Sequence, residues 1–336
     1  MSNLTHETHT GQSFGNATLL ADPSLCTLST CDLSLASFSY IPNLAGNTIF
    51  TVIFALLFVS QAYLGITRKS WGFMICLLFG LLLEVIGYIG RILLHNSPFI
   101  EDNFLIYLIC LTIAPAFMSA AIYLCLGRIV VLYGESLSRF RPQTYTYIFC
   151  GCDIISLILQ ATGGGIAASA DTGSGGVDTG KSIMLAGLGF QVFSLALFAG
   201  FSGEFALRVW NGRGLWNSRY TRVVDSKLFK CSLAGLATAT LTIFIRSLYR
   251  CIELSGGFDS NLFRDDEVSF MILEGVMIII ACVSLTALHP AVCFQGCWHE
   301  TAFPLFGGRR SASQSKFIVS DEEGLQEEVE MGNRGK

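Results

Sequence analysis

Charge is scarce in this sequence: Asp, Glu, Lys and Arg make up 14% of its 336 residues. A soluble domain carries roughly 25%, so the deficit argues against a water-soluble globule. Disorder is excluded from the other direction, because 52% of the residues are hydrophobic and a disordered chain needs low hydrophobicity and high net charge. Proline is sparse, with 7 residues, whereas Phe contributes 26. The first 40 residues contain no Lys or Arg. The basic leading region of a cleavable signal peptide is therefore missing, and the first apolar helix is expected to act as its own insertion signal. A net charge of −4 excludes a general nucleic-acid binder.

What is present is apolar sequence in long runs, with a mean hydropathy of +0.56. A hydrocarbon core of about 30 Å needs about 20 apolar helical residues. Seven runs qualify: Leu44–Ile66, Trp71–Leu94, Phe104–Tyr133, Tyr145–Ala168, Ser182–Val209, Lys230–Leu254 and Val268–Leu288. Barrel strands would be about 10 residues long and alternating, so the runs predict an all-α, seven-helix membrane bundle. The expected organisation is an N-terminal tail over 1–43, a helical domain over 44–292 and an acidic, disordered tail over 293–336.

Basic residues orient the bundle. Fifteen Lys and Arg fall on the side of Arg68, Arg139 and the C-terminal tail, and two, Lys181 and Arg264, on the other. The positive-inside rule then places the N-terminus outside and the C-terminus in the cytoplasm. Glycosylation sequons at Asn3 and Asn16 fit an external tail. Cys26 and Cys31 lie in the same tail, either bridged or as two free thiols. All four tryptophans, Trp71, Trp210, Trp216 and Trp298, fall near the cytoplasmic interface and are expected to form an aromatic belt. Cys293 and Cys297 stand where palmitoylation is chemically permitted.

Ionisable residues inside membrane spans are expensive and are functional candidates by default. Nine fall there: Glu84, Arg91, Arg128, Asp153, Glu204, Arg246, Arg250, Glu253 and Glu274. Most sit on stripes at helical spacing, which are cheapest if they face a common interior. The stripes read Glu84, Tyr88 and Arg91; Asp153, Ser156 and Gln160; Gly187 and Gln191; Arg246, Arg250 and Glu253; and Glu267, Phe270 and Glu274. Arg128 and Asp153 are expected to pair in the inner half. The stripes serve either to lock helices together by ion pairs and hydrogen bonds, or to line a polar path for a lipid headgroup or an amine. Pro115 in the third span is expected to break a backbone hydrogen bond and kink the helix.

The same stripes carry a family resemblance. The matching stretches run from Glu84 through Gly87 and Tyr88 to Arg91, from Ala114 and Pro115 to Tyr123, Gly127 and Arg128, and from Asp153 and Ser156 to Gln160. Gly187 and Gln191 follow, then Arg246, Tyr249, Arg250 and Glu253, then Gly256, Gly257, Glu267 and Glu274. Over roughly 44–292 the chain resembles the fungal lipid-translocating exporters, a seven-helix family that includes sphingoid long-chain-base exporters and aminocholesterol-resistance proteins. It departs at Phe270, where Tyr is expected, and at Ala291 after His289 and Pro290, where Gly is expected. The resemblance implies a plasma-membrane protein that moves, or protects against, amphipathic lipids. Its partners would be membrane lipids and the substrate, with no cofactor.

For a sphingoid base, the substrate class that the resemblance implies, Glu84, Asp153 or Glu274 can hold the ammonium, and Tyr88, Gln160 and Gln191 can bond the hydroxyls. A seven-helix receptor or lipid sensor is the alternative. Against it, Gly127, Arg128 and Ile129 stand where a receptor's acidic-Arg-Tyr triplet would end helix 3, and no Asn-Pro-x-x-Tyr occurs in helix 7. Gly163, Gly164 and Gly165 lack the Lys-Ser/Thr of a phosphate loop. The histidines, His6, His9 and His95 on one side and His289 and His299 on the other, form no zinc cluster, which leaves enzymatic activity as the least favoured reading.

Overall fold

The computed structural model describes residues 40–134, 137–169, 175–212, 216–256, 267–298 and 300–301. Asn3, Asn16, Cys26 and Cys31 lie outside these residues, as does most of the C-terminal tail. Among these residues, seven helices are long and apolar enough to cross a membrane. They are α1 (Leu44–Thr67), α2 (Trp71–Asn96), α3 (Glu101–Tyr133), α4 (Pro142–Ser169), α5 (Gly176–Asn211), α6 (Lys227–Ser255) and α7. The last begins at Glu267–Phe270, widens into a π-helical turn at Met271–Val276 and continues as Met277–Ala287. The boundaries follow the apolar runs to within a few residues. The largest difference is at α5, which starts six residues early because the polar stretch from Gly176 adds a turn and a half before Ser182.

Local chemistry starts two of these helices. Asn43 caps α1, its Oδ1 accepting from Gly46 N at 2.9 Å, while its own N–H donates to Glu267 Oε1 at 2.6 Å. This ties the start of α1 to the start of α7. Ser226 caps α6 by accepting from Phe229 N at 3.2 Å.

The helices pack in chain order into a ring that closes where α7 meets α1. α3 is the most enclosed span and also touches α6, whereas α1 is the least enclosed. One face of α1 is buried, through Asn47, Phe50, Phe54, Gln61 and Gly65. Close approach of α4 and α5 needs glycine: a Cβ on Gly163 would stand 2.5 Å from Met184 N, and one on Gly187 2.9 Å from Ser156 O.

After α7 the chain turns back at His289 into a short helix, Pro290–Cys293, that closes one end of the bundle. Trp298 is buried there, and Arg128 reaches it. The Arg128 guanidinium lies 3.8 Å from the Trp298 ring centroid and donates to the Trp298 carbonyl. This corrects two expectations. Arg128 does not pair with Asp153, because it stands five residues beyond Tyr123, which faces Asp153, and so about 140° further round α3. The four tryptophans are not one belt either. Trp71 and Trp210 are exposed, but Trp298 is core, and Trp216 donates its indole N–H to Val209 O at 3.0 Å. Cys293, buried at 1% exposure, is not accessible to a palmitoyl chain in this arrangement.

Candidate functional site

Seven of the ten candidate path residues come together between α2, α3, α6 and α7. Glu274, in the π-helical turn, accepts from Arg246 Nη2 at 2.7 Å and lies 3.4 Å from Arg250 Nη1. Arg250 also donates to Glu253 Oε2 at 2.6 Å and to Thr112 Oγ1 at 3.4 Å. All four charged groups are nearly inaccessible.

Arg246 makes one further bond, to the backbone carbonyl of Leu111. The sequence explains why that carbonyl is free. In a regular helix it would accept from the N–H four residues on, which here is Pro115, and proline has none. The guanidinium fills the vacancy.

Toward the start of α1, a second arginine holds a smaller set. Arg91 donates to Asn47 Oδ1 at 3.2 Å and to the Tyr40 hydroxyl at 3.0 Å, and lies 3.9 Å from Glu267 Oε1. Its guanidinium sits over the Phe270 ring at 3.9 Å and over Tyr107 at 5.2 Å. Phe270 thus offers a ring face where a tyrosine was expected. Burial pushes the Tyr40 phenol up, against the pull of the Arg91 guanidinium, so Tyr40 remains a neutral hydrogen-bonding group at physiological pH.

Among the described residues, the charge count of this centre is uneven. Three guanidinium groups, on Arg91, Arg246 and Arg250, face four carboxylates, on Glu84, Glu253, Glu267 and Glu274. The unmatched one is Glu84. It is 1% exposed and makes no salt bridge or hydrogen bond among the described residues, although it feels the charges of Arg246 and Glu274. Tyr88, one turn along α2, is packed between the Phe54 ring at 5.5 Å and the Phe50 ring at 5.2 Å. Its hydroxyl is buried without a partner and lies against Gly275, where an added Cβ would stand 2.8 Å away. A charged carboxylate in such surroundings requires a counter-charge or a proton. The π-helical turn carrying Glu274 and Gly275 is a deviation of the kind that recurs at functional positions.

The other three candidates, Asp153, Gln160 and Gln191, lie apart from this centre, in the seam of α3, α4 and α5. Gln160 Nε2 donates to Gln191 Oε1 at 3.0 Å. Asp153 faces the Tyr123 hydroxyl, but the geometry stops short of a formed bond, and Asp153 Oδ2 and the hydroxyl are both buried without one. The Gln160 Oε1 and Ser194 Oγ atoms are also buried and unpartnered. No Lys or Arg pairs with Asp153 among the described residues. Glu204, the remaining ionisable candidate, is half-exposed and pairs with Arg208 at 2.6 Å and Arg139 at 3.6 Å.

Several participants escaped the sequence reading. Asn47, Tyr40, Tyr107 and Thr112 all touch a buried arginine. A signal existed for the first. Asn47, Phe54 and Gln61 recur at seven-residue spacing along α1, which marks one face with a polar residue at each end.

Comparisons with known proteins give the chain its relatives. The sphingoid long-chain base transporter RSB1 of Saccharomyces cerevisiae strain S288c is 33% identical over 296 residues, covering 80% of this chain and 76% of that protein. Protein RTM1 of S. cerevisiae is 28% identical over 217 residues, covering 64% and 67%. Protoporphyrin uptake protein 1 of S. cerevisiae is 28% identical over 208 residues, covering 62% and 65%. No solved structure matches the chain. Residues 77–297 match the RTA1-like protein family, and with that span and these relatives the chain belongs to that family.

Proposed function

We propose that this chain carries long-chain amphipathic amines, sphingoid bases first among them, across the plasma membrane, and that the substrate ammonium is received beside Glu84. One observation carries the proposal: among the described residues, Glu84 is the surplus carboxylate of a buried centre in which every other acid has a guanidinium partner. An ammonium would supply the missing positive charge, and the Tyr88 hydroxyl stands one turn away to meet a headgroup hydroxyl. The relative named as a sphingoid long-chain base transporter supports the substrate class.

Membrane lipids are the surroundings, and the alkyl tail stays among them. The seven-helix unit over 44–292 does the moving, with the N-terminus outside and the C-terminus cytoplasmic. The sequence has no phosphate loop, so the energy comes from a lipid or ion gradient or from another protein.

The test uses the purified full-length protein in vesicles with labelled sphingosine. Glu84→Gln keeps the shape of the side chain and removes its charge. It is expected to lower flux at least about tenfold, a loss of roughly 1.4 kcal/mol or more of binding to the cation, with the melting temperature unchanged. Full flux in this variant would sink the Glu84 assignment. Binding without flux in the unmodified protein would favour a lipid sensor instead.

A further inference from the structure

A third polar group lies in the seam of α1, α2 and α7, at the end of the bundle where α1 ends and α2 begins. Gln61 on α1 is fully buried, and neither its Oε1 nor its Nε2 has a hydrogen-bond partner among the described residues. Ser70, just before α2, is 1% exposed with an unpartnered hydroxyl. His289, just after α7, is 1% exposed, and both its ring nitrogens are unpartnered. The Thr286 hydroxyl, one turn earlier, is buried and unpartnered as well.

The backbone at these positions is accounted for. Ser70 N donates to Gly65 O at 3.0 Å, and His289 O accepts from Val292 N at 2.9 Å and Cys293 N at 3.1 Å. Among the described residues, only the side chains lack partners. The His289 ring meets Phe73 of α2 edge-on at 5.2 Å, which brings the end of α7 against the start of α2. Gln61 stands one turn above Gly65, whose Cα side abuts Met74 of α2.

Each buried polar group without a partner costs about 1–3 kcal/mol. Packing alone would be better served by Leu, Ala and Val at these positions. The group holds both donors and acceptors and no fixed charge, so it fits a ligand that donates and accepts hydrogen bonds. The outward face of α1 beside it is apolar and open, with Leu56, Val59 and Tyr63 each more than half exposed, so a tail attached to such a ligand has lipid to lie in. Arg68 and Lys69 are exposed at the same end of the bundle.

The same face of α1 reaches the charge centre. Gln61 is followed toward the N-terminus by Phe54, which stacks on Tyr88, and then by Asn47, which holds Arg91. These steps of seven residues are about 10 Å each.

We infer that Gln61, Ser70, Thr286 and His289 form a second headgroup site. It takes the hydroxyl-bearing part of an amphipathic amine at the end of the seam that carries Arg68 and Lys69. The inference rests on the transport reading for the identity of its ligand, and on the buried unpartnered atoms for its existence.

The experiment compares equilibrium binding of sphingosine and stearylamine to the full-length protein in detergent, with vesicle flux and thermal melting measured in parallel. Stearylamine is a long-chain amine that lacks the hydroxyls. The unmodified protein is expected to prefer sphingosine by about tenfold, and Gln61→Leu to reduce this preference to about twofold, as loss of hydrogen bonding to a hydroxyl requires. Melting should stay unchanged or rise. Thr286→Val, a smaller change, should give the same trend to a lesser degree. Glu84→Gln, which acts at the first site, should keep the preference. Retention of the full preference by both Gln61→Leu and Thr286→Val overturns the site. If the unmodified protein binds with the expected pattern but moves no lipid, the transport reading falls and the site stands. If lipid moves but headgroup hydroxyls are never preferred, the site falls and the transport reading stands.

Discussion

The charge centre and the α3–α4–α5 seam are both buried and both contain an acid, yet they are built on opposite plans. Around Arg246 and Arg250, carboxylates and guanidinium groups meet at 2.6–3.4 Å, and even a backbone carbonyl is recruited. In the α3–α4–α5 seam no cation meets Asp153 among the described residues; it faces a tyrosine hydroxyl, and two glutamine amides and a serine lie in the same seam, several of these atoms unpartnered. Removing a member of the first set strands a charge. Removing the charge from the second strands nothing. Sensitivity to mutation therefore means different things at the two places: in the first it reports stability before it reports substrate, and in the second it reports function more directly. Glu84 belongs in space to the first centre but behaves as the second does, since it has no hydrogen-bond or ion-pair partner to abandon among the described residues.

The largest expected effect breaks the comparison at its strongest point. Glu274→Gln leaves Arg246 and Arg250 short of a counter-charge and is expected to cost about 3–5 kcal/mol, read as a lower melting temperature and reduced surface expression. A fully stable Glu274→Gln protein would mean that the centre is more hydrated than its burial indicates. Gly163→Ala comes next. It drives a methyl group into the Met184 backbone and should cost about 1–3 kcal/mol by separating α4 from α5. The melt then shifts without any change in how the charge centre binds amine.

Pro115→Ala sharpens the contrast from the other side. It restores an N–H that competes with Arg246 for the Leu111 carbonyl, at an expected net change of about 1 kcal/mol. Hydrogen exchange should show the new amide protected. The smallest effect is expected for Asp153→Asn, within about 1 kcal/mol in the melt, because no ion pair is lost. A drop of several kcal/mol would reveal a hidden cationic partner.

The sequence made the spans legible because seven runs of apolar residues have one economical solution in lipid. It also revealed the charged residues that are buried at the centre, Glu84, Arg91, Arg246, Arg250, Glu253 and Glu274. It did not reveal how they divide. Helical spacing places Asp153 on a face, but only tertiary packing decides that this face meets Tyr123 rather than the arginines. Arg128 looked like a partner for Asp153 because both are ionisable and of similar depth. The deciding element, the returning segment that ends at Trp298, has no periodicity to announce it. Asn47 was hidden for a different reason: a single amide in an apolar helix reads as noise until the positions seven and fourteen residues on are considered with it.

The wide turn in α7 settles a matter of phase. Glu267 and Glu274 are seven residues apart, and a regular α-helix would place them within about 20° of one another. The π-helical turn Met271–Val276 accommodates about one extra residue, which rotates the start of the helix by about 100° relative to the rest. Glu267 can then address Arg91 and Asn43 while Glu274 addresses Arg246 and Arg250. One helix thereby serves two arginine groups from two azimuths, and a single-residue deletion inside that turn would force it to choose between them.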